Sequence, residues 1–291
     1  MKNKLLASLN IILLITFIFS FRLNTTHSKN THVFYSSLLN TQYSSILQNI
    51  NIDFSNSESL ELTRLKDKWI GIYKNQNQIF DFLPIEEKFI FNLLETFTKV
   101  MEITQLKENN NSSNLHFKTK IDFYTSEKLV TSLQFGDFDV LQKNIYCKNL
   151  LNNHVFLVPQ DFYHYITNDT KEWFNGLFFY SLRAKTDSVQ TIIIQDYVAN
   201  TQKILTPNSP NFESYAYYLK SAQSKKIQSL NLIESLSPEY KIAIKTGRGE
   251  LYSIFLFKKK VANQEIYYIK PESATYSLQV SHWTYEQLVT N

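Results

Sequence analysis

The chain has 291 residues, 43% of them hydrophobic and 15% aromatic, with a formal net charge of +4. This length suffices for one large domain or two small ones, and the hydrophobic content excludes a largely disordered chain and a multi-span membrane protein. The mild positive charge, without a long basic run, gives no support for nucleic-acid binding. The single cysteine, Cys147, excludes an intramolecular disulfide framework and a cysteine-based zinc motif. It lies in a strand-like run, and we predict a small buried thiol there.

The N-terminus has the pattern of a membrane-spanning helix. Lys2 and Lys4 precede an apolar run, Leu5–Phe21, which as a helix would reach about 25 Å, near the lower limit for crossing a bilayer. A cleaved signal peptide shares this pattern and is the alternative, but the run ends without the small residues that cleavage requires. We therefore predict a single-pass anchor over residues 1–23 in the cytoplasmic membrane. The two lysines favour an inside N-terminus and an extracytoplasmic soluble region.

A stretch rich in Ser, Thr and Asn follows at residues 24–48. This composition is typical of loops and linkers. We predict a polar stalk with one short helix near Val33–Leu39, and folded structure from about Asn49 onward.

The remaining elements, in chain order, come from hydrophobic periodicity and from turn and cap residues. They are a hairpin at 60–73, a helix opening at Pro84, strands at 118–124, 129–135, 144–148 and 155–158, a helix at 160–167, a helix at 172–180, a strand at 188–197 and a helix opening at Pro210. Proline is expected at the first position of a helix, where its missing N–H has no cost.

An internal repeat organises these elements. A shift of 121 residues places Lys120–Thr125 on Lys241–Thr246, Tyr146 on Tyr267 and Phe162 on Trp283, and a shift of 126 residues aligns Leu93 with Leu219. The five-residue difference falls in the polar loop 109–114, as expected when a duplicated sequence gains a loop insertion. If the repeat is real, the apolar side chains of the first copy should face the same way as their counterparts in the second: Ile121, Phe123, Leu133 and Phe135, and Ile242, Ile244, Ile254 and Leu256. We predict a first α+β repeat at 49–168, a connecting helix at 169–187 and a second repeat at 188–291. The predicted fold is α+β: an N-terminal transmembrane helix, then two tandem antiparallel-sheet modules with helices packed on one face.

Some of these runs resemble the bacterial domain-of-unknown-function family 4340. They are Leu65-Lys-Asp-Lys-Trp69-Ile-Gly-Ile, then Leu133-Gln-Phe-Gly136-Asp followed by Tyr146 and by Val155-Phe-Leu-Val158. The resemblance covers roughly residues 49–291, and the second repeat departs from it because Phe257 stands where Gly136 stands in the first. It implies an N-terminal membrane anchor and genes beside gliding-type ABC transporter subunits. It implies no catalytic or binding residues.

The search for chemistry gives no catalytic, cofactor-binding or metal-binding residues. His154, Asp161 and His164 are close in sequence but lack metal-ligand spacing, and we interpret them as surface residues. The acidic residues near the predicted helix start and turn, and the Gly-Arg-Gly-Glu run, have structural explanations. These residues are Glu86, Glu87, Asp137, Asp139 and Gly247–Glu250. We expect Trp69, Trp173 and Trp283 to be buried or half-buried anchors.

We therefore expect a non-enzymatic, membrane-anchored extracytoplasmic component that scaffolds or binds an envelope complex. An ABC transporter of gliding type is the partner that the family resemblance implies. The alternative is an extracytoplasmic binding protein for a cell-wall or small-molecule ligand, which predicts a deep pocket between the two repeats, lined by aromatic residues and two or three converging polar groups. The basic run Lys258–Lys260 is interpreted as a solvated hairpin end, with a lipid or polyanion contact as its alternative.

Overall fold

The computed structural model describes residues 31–66, 68–106, 115–183 and 188–290. Within these ranges the protein is mostly antiparallel β-sheet with a few helices, in agreement with the predicted α+β class. Its contacts divide it into two compact units. Unit 1 holds the described residues up to Leu47 and Leu94–Thr167; unit 2 holds Gln48–Leu93 and the described residues from Asn168 onward. This division does not follow the sequence repeat, so the predicted repeat boundaries stay predictions.

The elements alternate between strands and short helices along the chain. The strands are β1 (Thr31–Ser36), β2 (Asn49–Asp53), β3 (Ser59–Leu65), β4 (Lys68–Asn75), β5 (Gln78–Pro84), β6 (Met101–Leu106), β7 (Phe117–Tyr124), β8 (Leu129–Phe138), β9 (Asn144–Asn149), β10 (Val155–Pro159), β11 (Val189–Asp196), β12 (Thr201–Leu205), β13 (Ile227–Ser229), β14 (Tyr240–Thr246), β15 (Leu251–Val261), β16 (Gln264–Pro271) and β17 (Tyr276–Val280). The α-helices are α1 (Thr41–Ser44), α2 (Glu87–Thr98), α3 (Tyr163–Ile166), α4 (Thr170–Trp173), α5 (Tyr180–Arg183), α6 (Phe212–Ser221) and α7 (His282–Val289). Short 3-10 turns precede α3, at Gln160–Phe162, and follow β13, at Leu230–Leu232.

In unit 1 the strands are ordered β1-β6-β10-β9-β8-β7, and each neighbouring pair is antiparallel. The core centres on Phe97 of α2, whose ring lies 5.1 Å from Phe123, 6.0 Å from Phe135 and 4.9 Å from Phe162, measured between centroids. Because strand side chains alternate between faces, Phe123 and Phe135 reach this core while their neighbours face away.

In unit 2 one run of neighbouring strands is β2-β3-β4-β5, and a seven-stranded sheet has the order β12-β11-β14-β15-β16-β17-β13. The buried face of α6 consists of Phe212, Tyr215, Ala216 and Leu219, which recur at the spacing of an amphipathic helix. The phenol of Tyr215 donates a hydrogen bond to the carbonyl of Leu288 near the end of α7.

Two segments repeat the same order of elements. The first module, Glu87–Ile166, has strand order β6-β10-β9-β8-β7, and the second module, Phe212–Val289, has strand order β13-β17-β16-β15-β14. Each module starts with a helix and a short strand, continues with a four-stranded meander and ends with a helix.

The strand register also repeats. Ile121 pairs with Leu133 in the first module, and the positions 121 residues later, Ile242 and Ile254, pair in the second. The apolar positions expected to face inward are fully buried in both modules: Ile121, Phe123, Leu133 and Phe135, and Ile242, Ile244, Ile254 and Leu256. A register slip of one residue would have exposed one of these sets, so the prediction of matched facing is confirmed.

Beyond β8 and β15 the alignment changes by one residue. Phe135 pairs with Cys147 twelve positions later, whereas Leu256 pairs with Ile269 thirteen positions later. The predicted match of Tyr146 with Tyr267 is therefore wrong, and Tyr267 corresponds to Ile145. The predicted match of Phe162 with Trp283 is also wrong, because Phe162 is buried and Trp283 is 65% exposed.

Several predicted elements differ from the structure. The segment near Val33–Leu39 forms β1, not a helix, and all six β1 residues pair with β6. Folded structure thus includes residues before Asn49. Pro84 ends strand β5 instead of opening a helix, and α6 begins two residues after Pro210. The pairing of β1 with the distant strand β6, and of Pro84 with Ile70 in the β4–β5 hairpin, overrides these local signals.

The predicted helix at 172–180 is also wrong over most of its length. Backbone bridges join Phe174 to Ile85 and Leu177 to Gln223, so the segment between α4 and α5 is extended. A Cβ on Gly176 would lie 1.8 Å from the carbonyl oxygen of Ser224, and this contact explains why glycine occupies the position.

No helix within the described ranges is long and apolar enough to span a membrane. The predicted anchor, Leu5–Phe21, lies outside the described residues.

Candidate functional site

Most residues singled out in the sequence have structural positions. Cys147 is buried, as predicted, and burial raises the pKa of its thiol. Trp173 is buried and Trp69 half-buried, as expected, whereas the exposed Trp283 contradicts the prediction. Gly247–Glu250 joins β14 to β15 as predicted, and Gly249 has a positive φ of 81°.

The acidic residues fall into three settings. Glu87 begins α2, as predicted for a helix start. Asp137 lies in β8 and pairs with Lys118, while Asp139 closes the following turn by accepting hydrogen bonds from the backbone N–H groups of Lys143 and Asn144. The predicted turn after Gly136 therefore begins two residues later than expected. His154, Asp161 and His164 are exposed, and no group of three His, Cys, Asp or Glu able to hold a metal occurs in the described part of the chain.

The feature with the character of a binding site is an open cleft in unit 2, here called the hairpin cleft. Its volume is about 470 Å³, and it is bordered by the β4–β5 hairpin on one side and by the ends of β15 and β16 on the other. The lining consists of Ile70, Phe82, Pro84, residues 177–180, residues 251–253, residues 271–274 and Tyr276. A volume of this order lies within the roughly 300–1,000 Å³ of typical ligand sites.

Phe82 occupies the mouth of the hairpin cleft in an unusual conformation. Its φ is +55° and its side chain is 67% exposed, although Phe80 on the same strand is buried. A positive φ is rare for a bulky residue and costs about 1–3 kcal/mol. The cause is local: the pairing of β4 with β5 shifts register between Gly71 and Tyr73, which places Phe82 in the irregular part of the hairpin.

Hydrogen bonds to the backbone on either side of Phe82 hold this strained part of β5 in place. The hydroxyl of Thr275 donates to the carbonyl of Asp81 at 2.7 Å, and the N–H of Asn175 donates to the carbonyl of Pro84 at 2.9 Å. Because β5 is hydrogen-bonded both before and after Phe82, the strained conformation persists and the ring stays exposed to solvent.

The segment 173–180, whose residues 177–180 line the hairpin cleft, is held by an ion pair near its start. Lys225 lies 2.7 Å from Glu86 and also donates to the carbonyl of Phe174, while the N–H of Glu86 donates to the carbonyl of Trp173 at 2.8 Å. The two charged side chains are each about one quarter exposed. This arrangement preorganises the segment before any ligand binds.

The polar groups of the hairpin cleft are three phenols, the hydroxyls of Ser253 and Ser273, and one carboxylate. Burial raises the pKa of Tyr180, with Glu87 and Glu86 adding to the effect, and burial likewise raises the pKa of Tyr276. Both phenols therefore stay protonated at neutral pH and keep their hydrogen-bond donors. The neighbouring Ser253 and Lys241 lower the pKa of Glu272, so this carboxylate at the rim is ionised. The cleft suits an apolar side chain accompanied by a hydrogen-bonding or basic group.

Sequence reasoning missed this site. The run Ile79-Phe-Asp-Phe-Leu83 directly follows the Trp69 strand, and its alternation was the available signal for β5. The irregular pairing of β4 with β5 that exposes Phe82 has no signature in the local sequence.

No family model, curated protein or solved structure matches this chain.

Proposed function

We propose that this protein is a non-enzymatic, membrane-anchored extracytoplasmic component that scaffolds or binds an envelope complex through the hairpin cleft. The observation that carries the proposal is Phe82, an exposed aromatic residue held in a strained conformation at the mouth of an apolar cleft. Aromatic side chains beside a pocket are frequent anchors of protein interfaces, and local strain is concentrated at binding sites. The apolar run Leu5–Phe21 supports the anchor. The family resemblance supports a gliding-type ABC transporter as the complex.

Membrane topology is tested with a single introduced thiol. Val140 is 97% exposed, and the only native cysteine, Cys147, is buried, so Val140→Cys provides one accessible thiol. We expect a membrane-impermeant maleimide to label the Val140→Cys chain in spheroplasts and to leave the wild-type chain unlabelled. Labelling only after the cytoplasmic membrane is lysed would contradict the orientation. An N-terminal sequence that starts near residues 22–30 would show the alternative, a cleaved signal.

The binding role is tested with a matched pair of aspartate variants. Phe82→Asp places a charge in the cleft, and Phe91→Asp makes the same change at an exposed position of α2 outside the cleft lining. After mild crosslinking in cells, we expect ABC transporter membrane subunits to copurify with wild type and Phe91→Asp, and to be lost from Phe82→Asp. Equal recovery with both variants would contradict a role for the cleft.

The alternative function, binding of a cell-wall or small-molecule ligand, is favoured by a different observation. A second cleft in unit 2 has a polar lining with several basic groups.

A further inference from the structure

A second cleft, here called the polar cleft, lies in unit 2 where β16 begins, β17 ends and β13 begins. Its volume is about 630 Å³, and it is lined by Lys171, Gln223–Lys226, Gln264–Tyr267, Gln279–His282 and Thr284. Most ligand sites of this size are predominantly apolar. Apart from Ile266 and Val280, every residue of this lining carries a polar side-chain group, so the cleft offers hydrogen bonds to a polar ligand.

The charge balance of the polar cleft favours an anion. Three lysines line it, Lys171, Lys225 and Lys226, against the single carboxylate of Glu265. Glu265 accepts a hydrogen bond from the phenol of Tyr267 at 2.5 Å, which lowers the pKa of the carboxyl group. Lys225 is engaged with Glu86, while Lys171 and Lys226 are exposed.

Neutral hydrogen-bonding groups surround these charges on a fixed floor. The hydroxyl of Ser224 donates to the carbonyl of Gln279 at 2.6 Å, and the N–H of Gln279 donates to the carbonyl of Lys226 at 3.0 Å. The amides of Gln223 and Gln264 lie exposed at the edge. A ligand with several hydroxyl groups as well as a negative charge would use both kinds of partner.

The first module lacks part of this lining at the corresponding positions. Lys226 corresponds to Val100 in the 126-residue alignment, and Tyr267 and Ser281 correspond to Ile145 and Pro159 in the 122-residue alignment. These three polar groups therefore belong to the second module and are not a requirement of the shared fold, whereas Lys225 has a counterpart in Lys99.

We propose that the polar cleft binds an anionic saccharide, a sugar that carries a carboxylate or a phosphate. Lys171 and Lys226 bind the negative charge, and the glutamine amides bind the sugar hydroxyls. This proposal goes beyond the scaffolding function and depends neither on the membrane anchor nor on the hairpin cleft, so its failure would leave those claims standing.

The test is calorimetric titration of the full-length protein in detergent. The probes are trigalacturonate, glucose 1-phosphate, the neutral sugar maltotriose and inorganic phosphate. We expect at least one anionic sugar to bind, and to bind about tenfold more tightly or better than maltotriose and inorganic phosphate, because charged hydrogen bonds and sugar contacts add. Binding should weaken as salt is raised.

Variants assign the binding to this cleft. Lys171→Gln combined with Lys226→Gln should weaken the anionic sugar at least about tenfold, while Lys245→Gln, an exposed lysine on β14 outside the lining, should bind as wild type does. Unchanged melting temperatures show that each variant is folded. Three outcomes would overturn the proposal: no binding of either anionic sugar, equal binding of maltotriose or inorganic phosphate, or full binding by the double variant.

Discussion

The two modules keep one arrangement of side chains but build it from different positions. On the face of β7 opposite the aromatic core, Asp122 is buried and accepts hydrogen bonds from Ser132 at 2.5 Å and from Lys120 at 2.6 Å. The position equivalent to Asp122 in the second module is Ala243, which has no carboxylate. The lysine and the serine nevertheless recur, as Lys241 and Ser253.

The second module supplies its carboxylate from the adjacent strand connection. Glu272 lies 3.2 Å from Lys241, the neighbouring Ser253 helps to lower its pKa, and its N–H donates to the carbonyl of Ser253 at 2.9 Å. In the first module Leu150 makes the equivalent backbone bond to Ser132 at 2.8 Å. A carboxylate has thus been exchanged between two positions that face the same lysine and serine.

This exchange supports a duplication followed by divergence. One carboxylate facing the lysine and the serine makes a second one redundant. A sequence can therefore pass from the Asp122 arrangement to the Glu272 arrangement through an intermediate that carries both carboxylates. The difference is energetic as well as historical. Asp122 is almost fully buried, whereas the side chain of Glu272 is 49% exposed. The first carboxylate should therefore matter more for stability.

The largest expected effect concerns the cluster of aromatic rings around Phe97, which the second module lacks. Phe97 contacts four aromatic rings, and its equivalent in the second module is Gln223. Phe97→Ala should lower the free energy of unfolding by about 3–5 kcal/mol, through lost burial and the cavity left behind. Urea denaturation followed by circular dichroism measures it. Val100→Ala, at an exposed position, is the control and should change stability by less than about 0.5 kcal/mol.

The next effect tests the carboxylate exchange directly. Asp122→Ala should cost about 2–3 kcal/mol, because Lys120 and the buried Ser132 lose a charged partner. Adding Leu150→Glu places a carboxylate where the second module has one, and it should restore part of the loss. If the double variant is no more stable than Asp122→Ala, the two clusters are not equivalent.

A smaller effect is expected where the second module has a polar helix contact. Tyr215 corresponds to Phe89, and its phenol bonds the carbonyl of Leu288. Tyr215→Phe makes the second module resemble the first and leaves that carbonyl without its donor, at a cost of about 1 kcal/mol. Tyr217→Phe, an exposed position on the same helix, should leave the midpoint of unfolding unchanged.

The smallest effect is that of Glu272. Glu272→Gln should cost about 0.5 kcal/mol at neutral pH, since the side chain is half exposed. The folded protein holds the pKa of Glu272 below its ordinary value of 4.5. The stabilisation is therefore present above pH 4.5 and disappears as pH falls through the lower, folded-state pKa. Stability curves of wild type and variant should converge once the pH has fallen below that folded-state pKa, and a constant gap would contradict this origin.

Sequence reasoning found the repeat because its signal is local and periodic. Ile121, Phe123 and Leu133 alternate in a way that fixes the buried face of each strand, and the second module repeats them. The conformations of residues 33–39 and 174–179 depend on partners distant in sequence. β1 pairs with β6 about seventy residues later, and Gly176 approaches Ser224. Neither of these long-range contacts can be recognised from the local sequence.

The candidate sites were less accessible to sequence reasoning for the same reason. Phe82 sits among ordinary alternating residues, and its exposure comes from the irregular pairing of β4 and β5. Lys171 and Lys226 are far apart in the chain and line the same cleft once the chain is folded.

Cys147 and the tryptophans give the protein two independent reporters, one chemical and one optical. The only cysteine lies in unit 1, while all three tryptophans, Trp69, Trp173 and Trp283, lie in unit 2. Because the thiol is buried and its pKa is raised, an alkylating reagent can reach it only when β9 opens. Alkylation kinetics therefore time the opening of unit 1, and tryptophan fluorescence follows unit 2 in the same sample. The wild-type protein, without any introduced probe, can thus show whether its two units unfold together or one after the other.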